Sequence, residues 1–356
     1  MKNSLLNLPP VADLESKRVL RKVASAHRYL AELKGVSATI PNQNILINTL
    51  SLQEAKDSSA IENIITTHDD LFREEVFPEH ALNAAAKEVG HYASALKVGF
   101  ALVQNTGMLS CNHIIEIQAT MMKHSAGFRR LPGTELKNQE TGETVYTPPQ
   151  DPREIVDLMS GLEKYINENT SSDLDPLIRM AVIHYQFESI HPFYDGNGRT
   201  GRIINVLYLV LAGLLDAPVL YLSRYIVLHK TEYYDLLKRV REDGAWEEWI
   251  MFMLNAVEET SKRTIIMIEE IRKALRDYKH TIRAKHKFYS QDLINNLFSH
   301  PYTKIELIMR DLKVGRHTAS KYLDALCEEG LLTKQKIIRS NYYINNALYG
   351  ILTGIN

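Results

Sequence analysis

The sequence predicts a mainly α-helical protein with one short β-hairpin in its middle and a small α/β unit at its C-terminal end. Three observations carry that prediction. Apolar residues recur near every 3.6 positions over long stretches, as in Leu14, Val19, Leu20, Val23, Ala26, Leu30 and Leu33. Prolines fall between such stretches or in their first turns, where a missing N–H would have no partner anyway. Turn signals flanked by β-forming residues occur at Thr141-Gly142 and at Arg339-Ser340.

Taken in order, residues 12–33 form the first helix. Pro41 breaks the chain, and residues 45–55 resume helically ahead of Ser58-Ser59-Ala60-Ile61-Glu62-Asn63. Pro78 breaks it again, and residues 81–104 and 112–123 are long enough for two more helices. Residues 133–149 read as a hairpin turning at Thr141-Gly142. Asp151-Pro152 opens a helix to Tyr165, and Asp175-Pro176 another through Tyr185. In that last helix His184 reads as a packed, hydrogen-bonded residue. Residues 203–215 form an apolar run broken only by Asn205, Tyr208 and Gly213. The run is too short to span a bilayer and reads as the central core helix. Residues 231–241 and 246–277 complete the helical body.

The segment between these helices carries the chemistry. His191 to Arg202 reads His-Pro-Phe-Tyr-Asp-Gly-Asn-Gly-Arg-Thr-Gly-Arg. Glycines let backbone N–H groups approach phosphate oxygens, and a helix N-terminus is itself an anion site. His191 alone in this stretch takes a proton near neutral pH, so it is the candidate general base. Asp195 is a hard oxygen ligand suited to magnesium. Asn197 either donates its amide to a phosphate or caps the helix. Arg199 and Arg202 share a helix face, where two guanidinium forks suit successive phosphates. Phe193 reads as a plug into the core. Gly196, Gly198 and Gly201 spell Gly-x-Gly-x-x-Gly, but no β-strand precedes them, so a dinucleotide fold is not indicated.

The C-terminal stretch is a separate unit. Residues 269–287 are rich in charge and read as a solvated connecting helix. Helices follow at 292–298, 303–310 and 316–329, then strands at 331–338 and 341–344 around Arg339-Ser340. This resembles a winged helix-turn-helix. From Lys285 to Arg339 there are ten Lys/Arg against six Asp/Glu, a modest basic balance. Arg316, His317, Thr318, Ser320 and Lys321 occupy the recognition-helix positions. DNA binding and docking of a protein or a second copy are weighed equally for this unit.

Composition bounds the rest. A chain of 356 residues with 45% hydrophobic content supports more than one domain and a real core. Lys+Arg of 42 against Asp+Glu of 43 advertises no polyanionic partner for the whole chain. Two distant cysteines, Cys111 and Cys327, make no disulfide framework and fit a reducing cytoplasm. No membrane contact is expected. The expected units are 1–110 helical, 111–260 catalytic, 261–288 connecting and 289–356 winged.

The 191–202 block resembles the signature of the Fic family, His-Pro-Phe-x-Asp-Gly-Asn-Gly-Arg-x-x-Arg, at every fixed position. Phe187, Glu188, Ile190, Tyr233-Tyr234, Gly244 and Trp246 extend the likeness. It implies a helical Fic bundle with a hairpin flap that transfers AMP from ATP to a Ser, Thr or Tyr hydroxyl of a target protein, or of the chain itself. By the resemblance, His191 deprotonates the hydroxyl and Asp195 holds Mg2+. Gly196, Asn197, Gly198, Arg199, Thr200, Gly201 and Arg202 surround the phosphates, and Tyr233 or Tyr234 stacks on the adenine. The flap would register an extended target segment by strand addition. Ser58 through Asn63 matches the family's inhibitory signature, Ser/Thr-x-x-x-Glu-Gly/Asn. It implies that Glu62, with Ser58, occupies Arg202 and holds ATP in an unreactive pose. The bland alternative makes Ser58 an N-cap on a surface helix. Transfer of another group on the same fold, removal of AMP with Glu62 positioning water, and a DNA-binding nucleotide sensor also stay open.

Overall fold

The computed structural model describes residues 5, 8–76, 83–137, 141–168, 173–337 and 340–354. Among these there are fifteen helices and five short strands. The N-terminal helices are α1 (Lys17–Ser37), α2 (Gln43–Ile61), α3 (His68–Val76), α4 (Ala84–Thr106) and α5 (Cys111–Met122). Capping by Ser16, Asn42, Asn83 and Ser110 starts four of them, each side chain accepting an otherwise unpaired backbone N–H. α2 does not stop before the Ser58 motif. It runs through it, and Glu62 is its C-cap residue. Ser58 is fully buried, which excludes the surface N-cap alternative.

A two-stranded antiparallel hairpin follows, β1 (Leu136–Lys137) and β2 (Thr144–Tyr146), with Leu136 opposite Tyr146. Residues 138–140 at its tip lie outside the described residues. α6 (Pro152–Asn167) and α7 (Pro176–Ile190) each begin with proline behind an aspartate cap, as the sequence predicts. α7 and α8 (Asn197–Leu211) form the centre of the core and are buried along nearly their whole length. α8 begins inside the glycine block and ends earlier than the apolar run suggested. α9 (Ser223–Leu228) and α10 (Lys230–Asp243) then lead into α11 (Trp246–Lys285).

α11 corrects the expectation of a separate, solvated connector. It is one helix of 40 residues. Among the charges of its second half, Ile268, Ile271, Ala274, Leu275, Tyr278 and Ile282 make a buried stripe at helical spacing. The C-terminal unit packs on that stripe. It comprises α12 (Gln291–Ser299), β3 (Tyr302–Lys304), α13 (Ile305–Leu312), α14 (Arg316–Glu328), β4 (Leu332–Ile337), β5 (Ser340–Asn345) and α15 (Asn346–Thr353). The start of the helix expected at 303 is in fact a strand, because Tyr302–Lys304 pairs with β5 to give the sheet order β3-β5-β4. Arg339, expected at the turn, lies outside the described residues. α3, α9 and α15 had no sequence counterpart. They are short helices of six to nine residues that carry few periods of their pattern. No helix of the described residues is long and apolar enough to cross a membrane.

Candidate active site

The loop from His191 to Gly196 joins the two most buried helices. His191 closes α7 in the left-handed conformation at φ 50°, its N–H bonded to Phe187 O at 3.0 Å. That turn swings the chain back so that Phe193 enters the core, where Phe128 and Phe187 pack around it. Asn197 fixes the turn from inside. Phe193 N–H donates to Asn197 Oδ1, and Asn197 Nδ2 donates to Phe193 O, both at 2.8 Å. Gly196, at φ 78°, turns into α8. Outside the loop, Gln118 Nε2 donates to Asp195 O at 3.1 Å. Arg129 grips it hardest. Its backbone N–H donates to Pro192 O and its Nε to His191 O, both at 2.8 Å, and its Nη2 reaches Pro149 O. Pro149 follows the hairpin, and Tyr146 Oη donates to Ser189 O at 2.8 Å. The flap and the loop are thus tied to one another.

The two arginines hold carboxylates. Arg202 is 1% exposed; its Nε donates to Ser58 Oγ at 2.8 Å, and its Nη2 to Ser58 O at 3.0 Å and to Glu62 Oε1 at 2.9 Å. A Cβ placed on Gly198 would collide with Glu62 Oε1. The Glu62 carboxylate therefore rests on the first turn of α8, over backbone N–H groups that have no intrahelical acceptor. Burial opposes its charge, yet Arg202, with Arg199 and Lys230, holds its carboxyl below the ordinary value. Arg199 donates from Nη1 to Glu88 Oε1 at 2.6 Å. Burial, with Arg129 nearby, pushes the His191 imidazole down to about 4, so the ring is neutral at neutral pH. Its Nδ1 is buried.

The residues expected from sequence come together with few exceptions. Gly196 to Arg202, His191, Ser58 and Glu62 converge on the start of α8. Asn197 departs from the phosphate reading, because both ends of its side-chain amide are engaged within the loop. Thr200 is fully buried, its hydroxyl without a partner. Tyr233 is corrected as an adenine-stacking residue. Its ring is 1% exposed, packed among His184, Trp249 and Phe252, and its hydroxyl bonds His184 at 2.8 Å. Tyr234 beside it is 45% exposed and has a face to offer. Asp195 is exposed and accepts Gly196 N–H at 2.6 Å. No group of three or more His, Cys, Asp or Glu among the described residues can hold a metal. A lone exposed carboxylate fits a magnesium ion that shares its shell with substrate phosphates.

Sequence reasoning missed Glu88, Arg129 and Glu54. Glu54 is 1% exposed on α2, accepting from Ser223 N–H at 3.0 Å and Tyr92 Oη at 3.1 Å. No local motif marks these three, because each works through a partner far along the chain. Glu188, noted only as a flank, has Oε1 buried without a partner against Gly201, and burial pushes its carboxyl up to about 7.

Residues 20–101 match the description Fic/DOC family N-terminal, and residues 108–209 match the Fic/DOC family. The chain belongs to the Fic/DOC family. Residues 275–348 further match the description Protein adenylyltransferase SoFic-like, C-terminal domain. Curated relatives named Protein adenylyltransferase Fic include one from Aedes aegypti, 27% identical over 172 residues, 48% of this chain and 32% of that protein. Another, from Drosophila melanogaster, is 29% identical over 152 residues, 43% of this chain and 29% of that protein. The chain thus spans about a third of the length of the curated relatives it matches. A Fic family protein from Desulfovibrio desulfuricans G20 superposes with a TM-score of 0.56 at 18% identity, covering 93% of this chain and 96% of that one. Fic-1 from C. elegans gives 0.56 at 20% identity over 71% and 74%. These two likenesses establish the fold, and the Fic loop sits at its centre.

Proposed function

We propose that this Fic protein is a protein adenylyltransferase, drawing AMP from ATP, and that Glu62 holds the reaction down. One observation carries the reading: the Glu62 carboxylate occupies the anion-binding first turn of α8 while paired to Arg202. A site built for a carboxylate at that point is also built for a phosphate oxygen. In the reaction, the oxygen of a Ser, Thr or Tyr hydroxyl attacks the α-phosphorus and pyrophosphate leaves. The hydroxyl proton passes to the neutral His191 ring. Because Nδ1 is buried, Nε2 is the accepting atom. Magnesium, when bound, would neutralise phosphate charge, and Asp195 is the residue to hold it. Arg199, Arg202 and the N–H groups of residues 196–199 orient the phosphates, and Tyr234, close enough to feel the charges of Glu62 and Arg202, is the ring to cover the base. The flap would present the target segment by backbone pairing.

The unit after α11, with four helices and the β3-β5-β4 sheet, fits a winged helix-turn-helix. Arg316, His317 and Lys321 are exposed on α14. Arg316 pairs with Glu306 and Lys334 with Asp324, which reduces the free positive field. That favours protein docking, including a second copy in a homodimer, over duplex DNA. Two unpaired cysteines fit a cytoplasmic setting.

The test uses the full chain with labelled ATP. Glu62→Gly should raise label transfer to itself or to a lysate target by about 5- to 150-fold, the usual range of a coupling free energy. Adding His191→Ala should remove it. Mass spectrometry should find AMP on a hydroxyl, and each triphosphate offered in turn fixes the transferred group. Equal transfer by wild type and Glu62→Gly would refute inhibition. Transfer surviving His191→Ala would refute the mechanism.

A further inference from the structure

One contact of the Fic loop has no role in that account. Arg199 is 2% exposed and donates from Nη1 to Glu88 Oε1 at 2.6 Å. Glu88 belongs to α4, not to the inhibitory helix α2. Its side chain is 38% exposed, so the pair has a buried end and a wet end. Arg199 Nη2 rests on Met122 Sδ at 3.5 Å, and Nε is buried without a hydrogen-bond partner. A guanidinium has five N–H donors in one rigid plane. Here one donor is gripped from outside and another is left unused in the interior. Arg199 also acts on Glu62, helping to hold that carboxyl down. The guanidinium is therefore coupled to two carboxylates, one on α4 and one in the cradle.

We propose that Glu88 is a positioning residue for the triphosphate. It fixes the plane of Arg199 so that the guanidinium, already acting on the Glu62 carboxylate, meets a phosphate oxygen in its place once Glu62 withdraws. The proposal rests on the adenylyltransferase reading and adds a residue to it. Its physical basis is preorganisation. An arginine side chain loses much rotamer freedom when it binds, and fixing it beforehand removes that cost from ligand binding. A carboxylate at the wet end does this without entering the cradle, which Glu62 fills. The contrary reading makes Glu88 a second competitor for phosphate, and it predicts the opposite sign.

The test compares variants in the full chain carrying Glu62→Gly, with ATP and magnesium, by calorimetric titration and by labelled transfer. Glu88→Ala should raise the Kd and KM for ATP roughly tenfold, as for loss of one charge-assisted bond. The kcat should stay within about twofold. Glu88→Gln keeps an acceptor for Arg199 and should restore ATP binding to within about threefold. Glu88→Asp keeps the charge but withdraws it by one methylene. It should weaken ATP as well, and it serves if the alanine variant folds poorly. Adenosine, which has no phosphate, should bind all four proteins alike. With Arg199→Lys already present, Glu88→Ala should cost nothing further. Tighter ATP binding on Glu88→Ala, unchanged binding, or an equal loss for adenosine overturns the proposal. Failure of Glu62→Gly itself to bind ATP would instead sink the parent reading, and the two failures are told apart by that control.

Discussion

At the scale of single residues the Fic loop is decided by His191 and Gly198. His191 sits in the left-handed region because the helix must end there and turn back under its own ring. Burial makes the ring a base that is already neutral, at about 4, across the physiological range. A lowered folded-state value means that activity is retained as pH falls through 6.5 and is lost only near 4. The kcat/KM of the Glu62→Gly protein should therefore be flat from pH 8 to about 5.5. An acid limb centred near 6.5 would show that the ring is not buried as described. Gly198 is glycine because Glu62 Oε1 occupies the space of a Cβ. Gly198→Ala should thus break the Glu62–Arg202 pair without activating, since the methyl fills the same cradle. It should lower stability by about 1–3 kcal/mol, the usual cost of overpacking, read from denaturant midpoints. Activation equal to Glu62→Gly would mean that the cradle is roomier than the geometry allows.

At the scale of elements, α2 in the proposed mechanism is a lock with two teeth. Ser58 and Glu62 are four residues apart, so they lie on one face and close on one guanidinium. Ser58→Ala would leave a buried Nε without its acceptor, at about 1–3 kcal/mol. Transfer should rise, but less than in Glu62→Gly, because the charged tooth remains; no rise at all would confine Ser58 to a packing role. Arg129 ties the loop to the flap in the same way. Arg129→Ala should strip the side-chain donors from three carbonyl groups, those of Pro149, Ile190 and His191, and cut transfer at least tenfold, with loss of about 2 kcal/mol in stability. Transfer at the parental level would show that the loop holds itself. What could be read beforehand follows from the same geometry. The 191–202 block and the 58–63 motif are contiguous, so residue types at fixed spacing reveal them. Glu88 and Glu54 sit on ordinary helices and Arg129 in a loop, and each is joined to the site by partners distant in sequence. Tyr233 and Tyr234 look equivalent in a sequence, and only packing decides which ring is core. The stripe on the second half of α11 was hidden because charged residues of both signs outnumber its apolar positions.

At the scale of the whole molecule, the C-terminal unit is fastened to α2 and α3. Gln53 Nε2 on α2 donates to Leu352 O at 2.9 Å, Arg73 Nη2 on α3 donates to Tyr342 Oη at 3.2 Å, and Tyr302 Oη bonds Asp69. Phe72 packs edge-on against Tyr302 and Tyr349. Ending the chain at residue 288 would bare these groups and the apolar stripe of α11 together. Such a fragment should melt lower and associate, as judged by calorimetry and light scattering. A monomeric fragment with an unchanged melting temperature would show that the units are independent. α11 has a further consequence. Near its start, Trp249 Nε1 donates to Ala181 O of the helix that ends in His191. Near its other end, Tyr278 Oη donates to Leu331 O, leading into the hairpin wing. At 1.5 Å per residue the rod between these anchors is about 44 Å long. One unbroken helix thus joins the helix that carries the imidazole to the hairpin wing, with no loop between the two anchors.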